Sequence, residues 1–128
     1  MLRTLFVKDF AIIDGADVNF ASGMSVLTGE TGAGKSLLVD ALMLLAGGRG
    51  DAGVVRHGAE RAEMSAEFDL RALPAPRAWL REQELDDEEH VRLRRVIRAD
   101  GSSRAWINDR PVSLAVLREA AAFLVEIH

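Results

Sequence analysis

Short apolar runs separated by glycine, proline and aspartate or asparagine turns set the pattern of this chain. Residues 2–8 (Leu-Arg-Thr-Leu-Phe-Val-Lys) read as a strand that residues 9–13 continue or bend. Asp14-Gly15 is a turn signal, and residues 16–20 alternate at period two, so a hairpin is predicted. Ser22-Gly23 turns the chain into a third strand at residues 24–28. From about 35 to 46 the chain is apolar nearly all round, broken only by Ser36 and Asp40, which predicts a buried helix. Gly47-Gly48 ends it. Residues 49–61 read as a glycine-rich loop, 63–70 as a half-exposed strand, and Leu73-Pro74-Ala75-Pro76 as its terminator. A short helix is predicted over 77–85, running into an acidic, solvated stretch at 82–89. Residues 90–98 form a basic strand, Asp100-Gly101-Ser102-Ser103 a hairpin turn, and residues 104–107 the return. Asn108-Asp109-Arg110-Pro111 turns once more. Ser113 can cap a helix to about Ala122 with Leu114, Leu117 and Ala121 on one face, and residues 123–127 read as the start of another strand.

Composition narrows the class. At 128 residues the chain is one domain or a piece of one, and 48% hydrophobic content suffices for a core. The net charge of −4 supplies no bulk attraction to nucleic acid, although a local basic face remains open. The absence of cysteine excludes disulfides and thiolate metal sites. Lys8 and Asp9 interrupt the first apolar run, so no targeting segment is read there. The longest apolar stretch contains Asp40 and is too short to span a bilayer, which leads to the expectation of a soluble, cytosolic protein.

Between the third strand and the apolar helix stands Gly29-Glu30-Thr31-Gly32-Ala33-Gly34-Lys35-Ser36. This is G-x-x-x-x-G-K-[ST] in its required context of strand, glycine-rich turn and helix. A triphosphate is a dense anion that must be gripped without side-chain bulk. Gly29, Gly32 and Gly34 let the main chain approach it, and the N–H groups of residues 31–36 would point inward as a nest. The helix N-terminus adds its dipole. Lys35 brings a full charge to the β and γ phosphates, and the Ser36 hydroxyl would ligate Mg²⁺.

Other candidates are weaker. Residues 44–49 (Leu-Leu-Ala-Gly-Gly-Arg) look superficially like the L-S-G-G-Q signature of ABC ATPases, but the serine is missing and the glycines sit at a helix C-terminus, where the dipole repels phosphate. Arg49 reads either as a solvated loop arginine or as one facing phosphate or a partner. His57 has no partner at metal-ligand spacing, and Asp86-Asp87 lacks the flanking apolar strand of a metal site. Arg92, Arg94, Arg98 and Arg104 can share one face of the 91–104 hairpin. They read as a solvated face balanced by the nearby acidic run, or as DNA-phosphate contacts. Hydrolysis also needs an acidic residue for Mg²⁺ and a group orienting water. Residues 123–126 (Phe-Leu-Val-Glu) come nearest, but Glu126 lies inside an apolar run, so the chain reads as part of a catalytic unit.

Residues 28–42 closely resemble the P-loop of the RecN family, bacterial DNA double-strand break repair ATPases related to SMC proteins. Glu30-Thr31 stands where SMC proteins proper usually carry an Asn-Gly-Ser version. The resemblance covers essentially the whole chain. Residues 5–13 look like the family's first strand, 107–113 like its turn before a helix, and 124–128 like the lead-in to its Gly-Gln motif. It implies an α/β fold, a P-loop NTPase of ABC/SMC head type, with mixed and antiparallel sheet and a buried P-loop helix.

In that family the head is split in sequence. Residues 1–128 would be the N-terminal segment, ending before the Gln that helps bind Mg²⁺ and water; Gln83 is not that residue. A coiled coil and a C-terminal segment with the signature, the Mg²⁺-binding Asp and the catalytic Glu would follow. The resemblance implies ATP and Mg²⁺ as cofactors, with Lys35 catalytic and Ser36 on the metal. Nucleotide contacts would come from Gly29, Glu30, Thr31, Gly32, Ala33, Gly34, Lys35, Ser36, Leu37 and Arg49, and adenine contacts from around Phe10 to Ile13. The implied partners are the C-terminal head segment, a second head in a homodimer, and DNA, without a membrane, in the cytoplasm at the nucleoid. Two further readings stand beside it: a complete small P-loop kinase or GTPase, and a nucleotide-gated DNA-binding module without turnover.

Overall fold

The computed structural model describes residues 2–10, 13–19, 25–26, 40–48, 50 and 52–124, with residues 13–19, 25–26 and 52 described by their backbone. Its centre is a seven-stranded sheet. The strands are β1 (Leu2–Phe10), β2 (Ile13–Asn19), β3 (Ser25–Val26), β4 (Arg61–Asp69), β5 (His90–Arg98), β6 (Ser103–Ile107) and β7 (Arg110–Val112). They lie in the order β3-β2-β1-β4-β5-β6-β7, and every pairing among the described strands is antiparallel. Helical residues 40–45, here α1, sit between β3 and β4 in sequence. Helices α2 (Pro74–Glu82) and α3 (Leu114–Leu124) complete the described elements, with a 3₁₀ turn at Ala52–Val54.

Period-two alternation gives the sheet its two faces. One face turns Leu5 and Val7 of β1, Ala62, Met64, Ala66 and Phe68 of β4, Val91, Leu93 and Ile97 of β5, and Ala105 and Ile107 of β6 into a single core. Ala41, Leu44 and Leu45 of α1, Leu80 of α2, and Leu117, Ala120 and Ala121 of α3 join that core. The outer face carries Glu63, Glu67, Arg92, Arg94, Arg104 and Trp106, all at least partly exposed.

Several boundaries differ from the sequence reading, each for a local reason. Phe10 pairs with Ile13 and Lys8 with Gly15, so Asp14-Gly15 lies inside β2 and the reversal comes earlier. Helix α2 begins at Pro74 rather than at 77. Prolines lack the N–H that a first helical turn leaves unbonded anyway, so the predicted terminator of β4 is also the start of the helix. Arg110–Val112 forms a short strand after the Asn108-Asp109 turn, where both residues have positive φ (49° and 66°). That is the backbone of a hairpin turn matched to strand twist. Ser113 caps α3 as its type predicts, its hydroxyl accepting from the Val116 N–H at 3.2 Å. The helix continues through Phe123 and Leu124, which the sequence had assigned to a strand. Helix α1 is not buried all round either: Asp40 is exposed and Met43 is 43% exposed.

Candidate functional site

The residues assigned to phosphate, metal and nucleotide, namely Gly29, Glu30, Thr31, Gly32, Ala33, Gly34, Lys35, Ser36, Leu37 and Arg49, lie outside the described residues, as do Ala11, Ile12 and residues 125–128. What is described is the frame on either side of residues 27–39: β3 before and α1 after. Phe10, one of the residues expected near adenine, is 3% exposed and packed in the core, so its ring is not free to receive a base. Among the described residues, no three His, Asp or Glu side chains converge on a possible metal position.

The best-defined polar structure near this frame is the C-terminal end of α1. Gly47 has φ of 90°, and its N–H donates to the Leu44 carbonyl at 3.0 Å while the Gly48 N–H donates to Met43 at 3.1 Å. These two bonds form a Schellman cap. Two arginines from other elements then close on the same turn. Arg95 of β5 donates through Nη1 to the carbonyls of Leu44 at 2.7 Å and Gly48 at 2.5 Å, and through Nη2 to Ser103 Oγ at 3.2 Å. Arg118 of α3 donates through Nε to the Gly47 carbonyl at 2.9 Å. Positive charge suits this position because a helix C-terminus carries partial negative charge.

Arg95 is 2% exposed, and its Nε is buried without a hydrogen-bond partner. Burial, followed by repulsion from Arg118, pushes its pKa down. No salt bridge to Arg95 occurs among the described residues. The packing is close. A Cβ at Gly48 would lie 2.8 Å from the Met43 carbonyl oxygen, and one at Gly50 would lie 2.6 Å from Ile97 Cδ1.

The hairpin arginines divide differently. Arg94 pairs with the Glu63 carboxylate and stacks over Trp106, its guanidinium carbon 4.5 Å from the ring centroid. Arg92 approaches Glu67 at 3.9 Å. The balancing carboxylates thus come from β4, not from the acidic run, whose Asp87 lies 3.6 Å from His90 instead. Arg98 and Arg104 are exposed. At the neighbouring corner, the Arg71 side chain and backbone N–H donate to Asp69 and hold its carboxyl well below the usual range.

Arg95 and Arg118 escaped the sequence reading. A signal for Arg95 existed: in Val91-Arg92-Leu93-Arg94-Arg95-Val96-Ile97 it is the one arginine in phase with Val91, Leu93 and Ile97. A cation at an inward position of a strand has to find acceptors inside.

A family model described as AAA domain matches residues 4–107. The DNA repair protein RecN of Xylella fastidiosa is 59% identical over 128 residues, covering all of this chain and 23% of that protein. RecN of Haemophilus influenzae is 49% identical over 131 residues, covering 100% of this chain and 24% of that protein. The chain therefore spans about a quarter of the length of these curated relatives. Among solved structures, the Smc head domain of Pyrococcus furiosus superposes with a TM-score of 0.74 at 22% identity, over 95% of this chain and 32% of that one. The recombination mediator RecF with ATP gives 0.63 at 16% identity, over 91% and 30%. At such identities the likeness speaks for the fold alone, that of an SMC head domain. The chain belongs to the AAA domain family and is similar along its whole length to the N-terminal part of RecN proteins.

Proposed function

We propose that this chain is the N-terminal segment of a RecN-type ATPase head, binding the phosphates of ATP through Gly29–Ser36 in the service of DNA double-strand break repair. The observation that carries the reading is the G-x-x-x-x-G-K-S sequence between β3 and α1, in a chain 59% identical to a RecN protein over 128 residues. The donor set fits a Mg²⁺-triphosphate: backbone N–H groups, one lysine and one hydroxyl, with glycine where the main chain must come close. Lys35 would neutralise developing charge on the phosphates and Ser36 would hold Mg²⁺. Leu37 and Arg49 flank that grip in sequence and are assigned to it by resemblance. The bound nucleotide supplies the phosphoryl group to be hydrolysed, and the acidic metal ligand and water-orienting group belong to a C-terminal head segment.

Two large apolar side chains left exposed on the helical side, Met43 and Phe123, each 43% exposed, support a covering surface supplied by that segment. A second head, in a homodimer, would complete each site, and ATP-driven engagement of the heads would control DNA holding. Such a protein works in the cytoplasm at the nucleoid. No helix among the described residues is long and apolar enough to cross a membrane. The kinase or GTPase alternative fares worse, because two strands, β1 and β2, precede the strand before the loop and the sequence carries no Asn-Lys-x-Asp base-recognition motif. The nucleotide-gated DNA module keeps one observation in its favour: Arg94 and Trp106 lie together on an uncovered sheet face, with Arg104 exposed nearby.

The test is ATP binding and turnover by the 128-residue chain, alone and mixed with a separately expressed C-terminal head segment. Turnover should appear only on mixing and vanish with Lys35→Ala. Ordinary turnover by the chain alone would sink the split-head reading. DNA binding that survives Lys35→Ala without ATP would favour the gated module.

A further inference from the structure

We propose that the cavity at the C-terminal turn of α1 is an oxyanion site, in which Arg95 and Arg118 hold the phosphate group of a small molecule. The cavity has a volume of about 410 Å³ and is lined by Arg95, Arg118, Ser103, Leu114 and three glycines, Gly48 and Gly50 among them. That volume lies within the roughly 300–1,000 Å³ of small-molecule sites. The site uses no residue of Gly29–Ser36 and does not rest on the phosphate-loop reading.

The turn itself brings the two guanidiniums together. Arg95 donates to the Gly48 carbonyl and Arg118 to the carbonyl before it, that of Gly47. These bonds use only part of each fork. Arg95 is 2% exposed, and its Nε is buried without a partner. Among the described residues Arg118 bonds through Nε alone, so both its Nη groups can donate elsewhere. Ser103 Oγ accepts from Arg95 Nη2 at 3.2 Å, which leaves its own O–H to donate. Glycine keeps the backbone side clear, since a Cβ at Gly50 would lie 3.5 Å from Arg95 Nη2.

Charge points the same way. The chain carries 20 Asp and Glu, yet no acidic side chain lines this cavity. Burial and the neighbouring Arg118 both disfavour the charge on Arg95. Peptide dipoles at the helix end offset part of that cost, and an anion between the two cations offsets more. A phosphate monoester brings a charge of about −1.5 to −2 at pH 7 and three acceptor oxygens. That matches two guanidiniums and a hydroxyl. A carboxylate brings one charge and two oxygens, and leaves one cation uncompensated.

The experiment is equilibrium dialysis of radiolabelled inorganic phosphate against the complete ATPase at fixed ionic strength. It is run in a Lys35→Ala background, so that the loop at 29–36 contributes little. Phosphate should bind saturably. Arg118→Gln, at an exposed position, should raise Kd about tenfold. Arg118→Lys keeps the charge but loses the fork and should fall between. Ser103→Ala should raise Kd about threefold. Glycerol 3-phosphate should displace the bound phosphate, and acetate should not.

An absence of saturable binding overturns the proposal, as does binding that ignores Arg118→Gln. Binding present with Lys35 and lost with Lys35→Ala belongs to the loop, and overturns it equally. Acetate competing as well as phosphate, or glycerol 3-phosphate failing to compete, overturns the assignment of a small-molecule phosphate.

Discussion

Arg94 and Arg95 are neighbours in one strand and point to opposite faces of the sheet. Arg94 is half-buried, paired with the Glu63 carboxylate and stacked on Trp106. Arg95 is buried and bonds only carbonyls and a hydroxyl. The same side chain thus does two kinds of physical work one residue apart. On the wet face, charge meets charge through solvent that weakens both, and the stack adds a modest increment. On the dry face a cation offsets its desolvation with peptide dipoles at a helix end, and each bond is stronger for the lower polarity around it.

Replacing Arg95 by Met should lower the stability of the protein by about 2 kcal/mol, because the Gly48 carbonyl loses a charged donor in a partly buried position. Urea unfolding measures this; a loss no larger than that of the Arg94 variant below would erase the contrast between the faces. Next in size is Gly47→Ala. At φ of 90° an L side chain is strained, and its Cβ would fall 2.0 Å from Arg118 Cγ. Arg118 can swing away and give up its bond, so the cost is about 1–2 kcal/mol. Combining Gly47→Ala with Arg118→Met tests this, since the two losses should fall short of additive.

Arg94→Gln should cost under about 1 kcal/mol, and a double-mutant cycle with Glu63→Gln should return a coupling of similar size that shrinks in high salt. The smallest effect is in acid. The depressed folded pKa of Asp69 means that its contribution is complete above the unfolded value of about 3.9 and is lost as pH falls through the folded value. Asp69→Asn should lose that contribution at pH 7, a small loss for so exposed a pair, and show a flatter acid limb, so that the two proteins converge as pH falls. An acid limb identical in the two proteins would rule this out.

Much of the framework was readable from the pattern. Alternation marked β4 and β5, Ser113 announced its cap, and Gly47-Gly48 announced the end of α1. Local signals carried these elements, and local signals survive in sequence. The misses were contextual. Asp14-Gly15 is turn-like in composition, but pairing with β1 holds it extended. Phe123 and Leu124 read as strand, yet the ring of Phe123 packs 6.1 Å from that of Trp79 on α2 and the helix carries on. At the candidate site, the proposed phosphate-binding residues rest on one motif, because a nest of N–H groups demands glycine at fixed spacing, and they lie outside the described residues. The arginines at the end of α1 were not legible, because what identifies Arg95 is the carbonyls it reaches, and those lie far away in the chain.

That distance has a consequence for how the protein is made. Arg95 and Leu44 are 51 positions apart, and Arg118 and Gly47 are 71. Contacts of such span come late, after the loop between them has been closed at an entropic cost. On a ribosome adding about 5–20 residues per second, Gly47 waits roughly 4–14 s for Arg118 to be synthesised. The residues of α1 therefore leave the ribosome well before the two arginines that bond its C-terminal turn, and that turn is completed only after α3 has emerged.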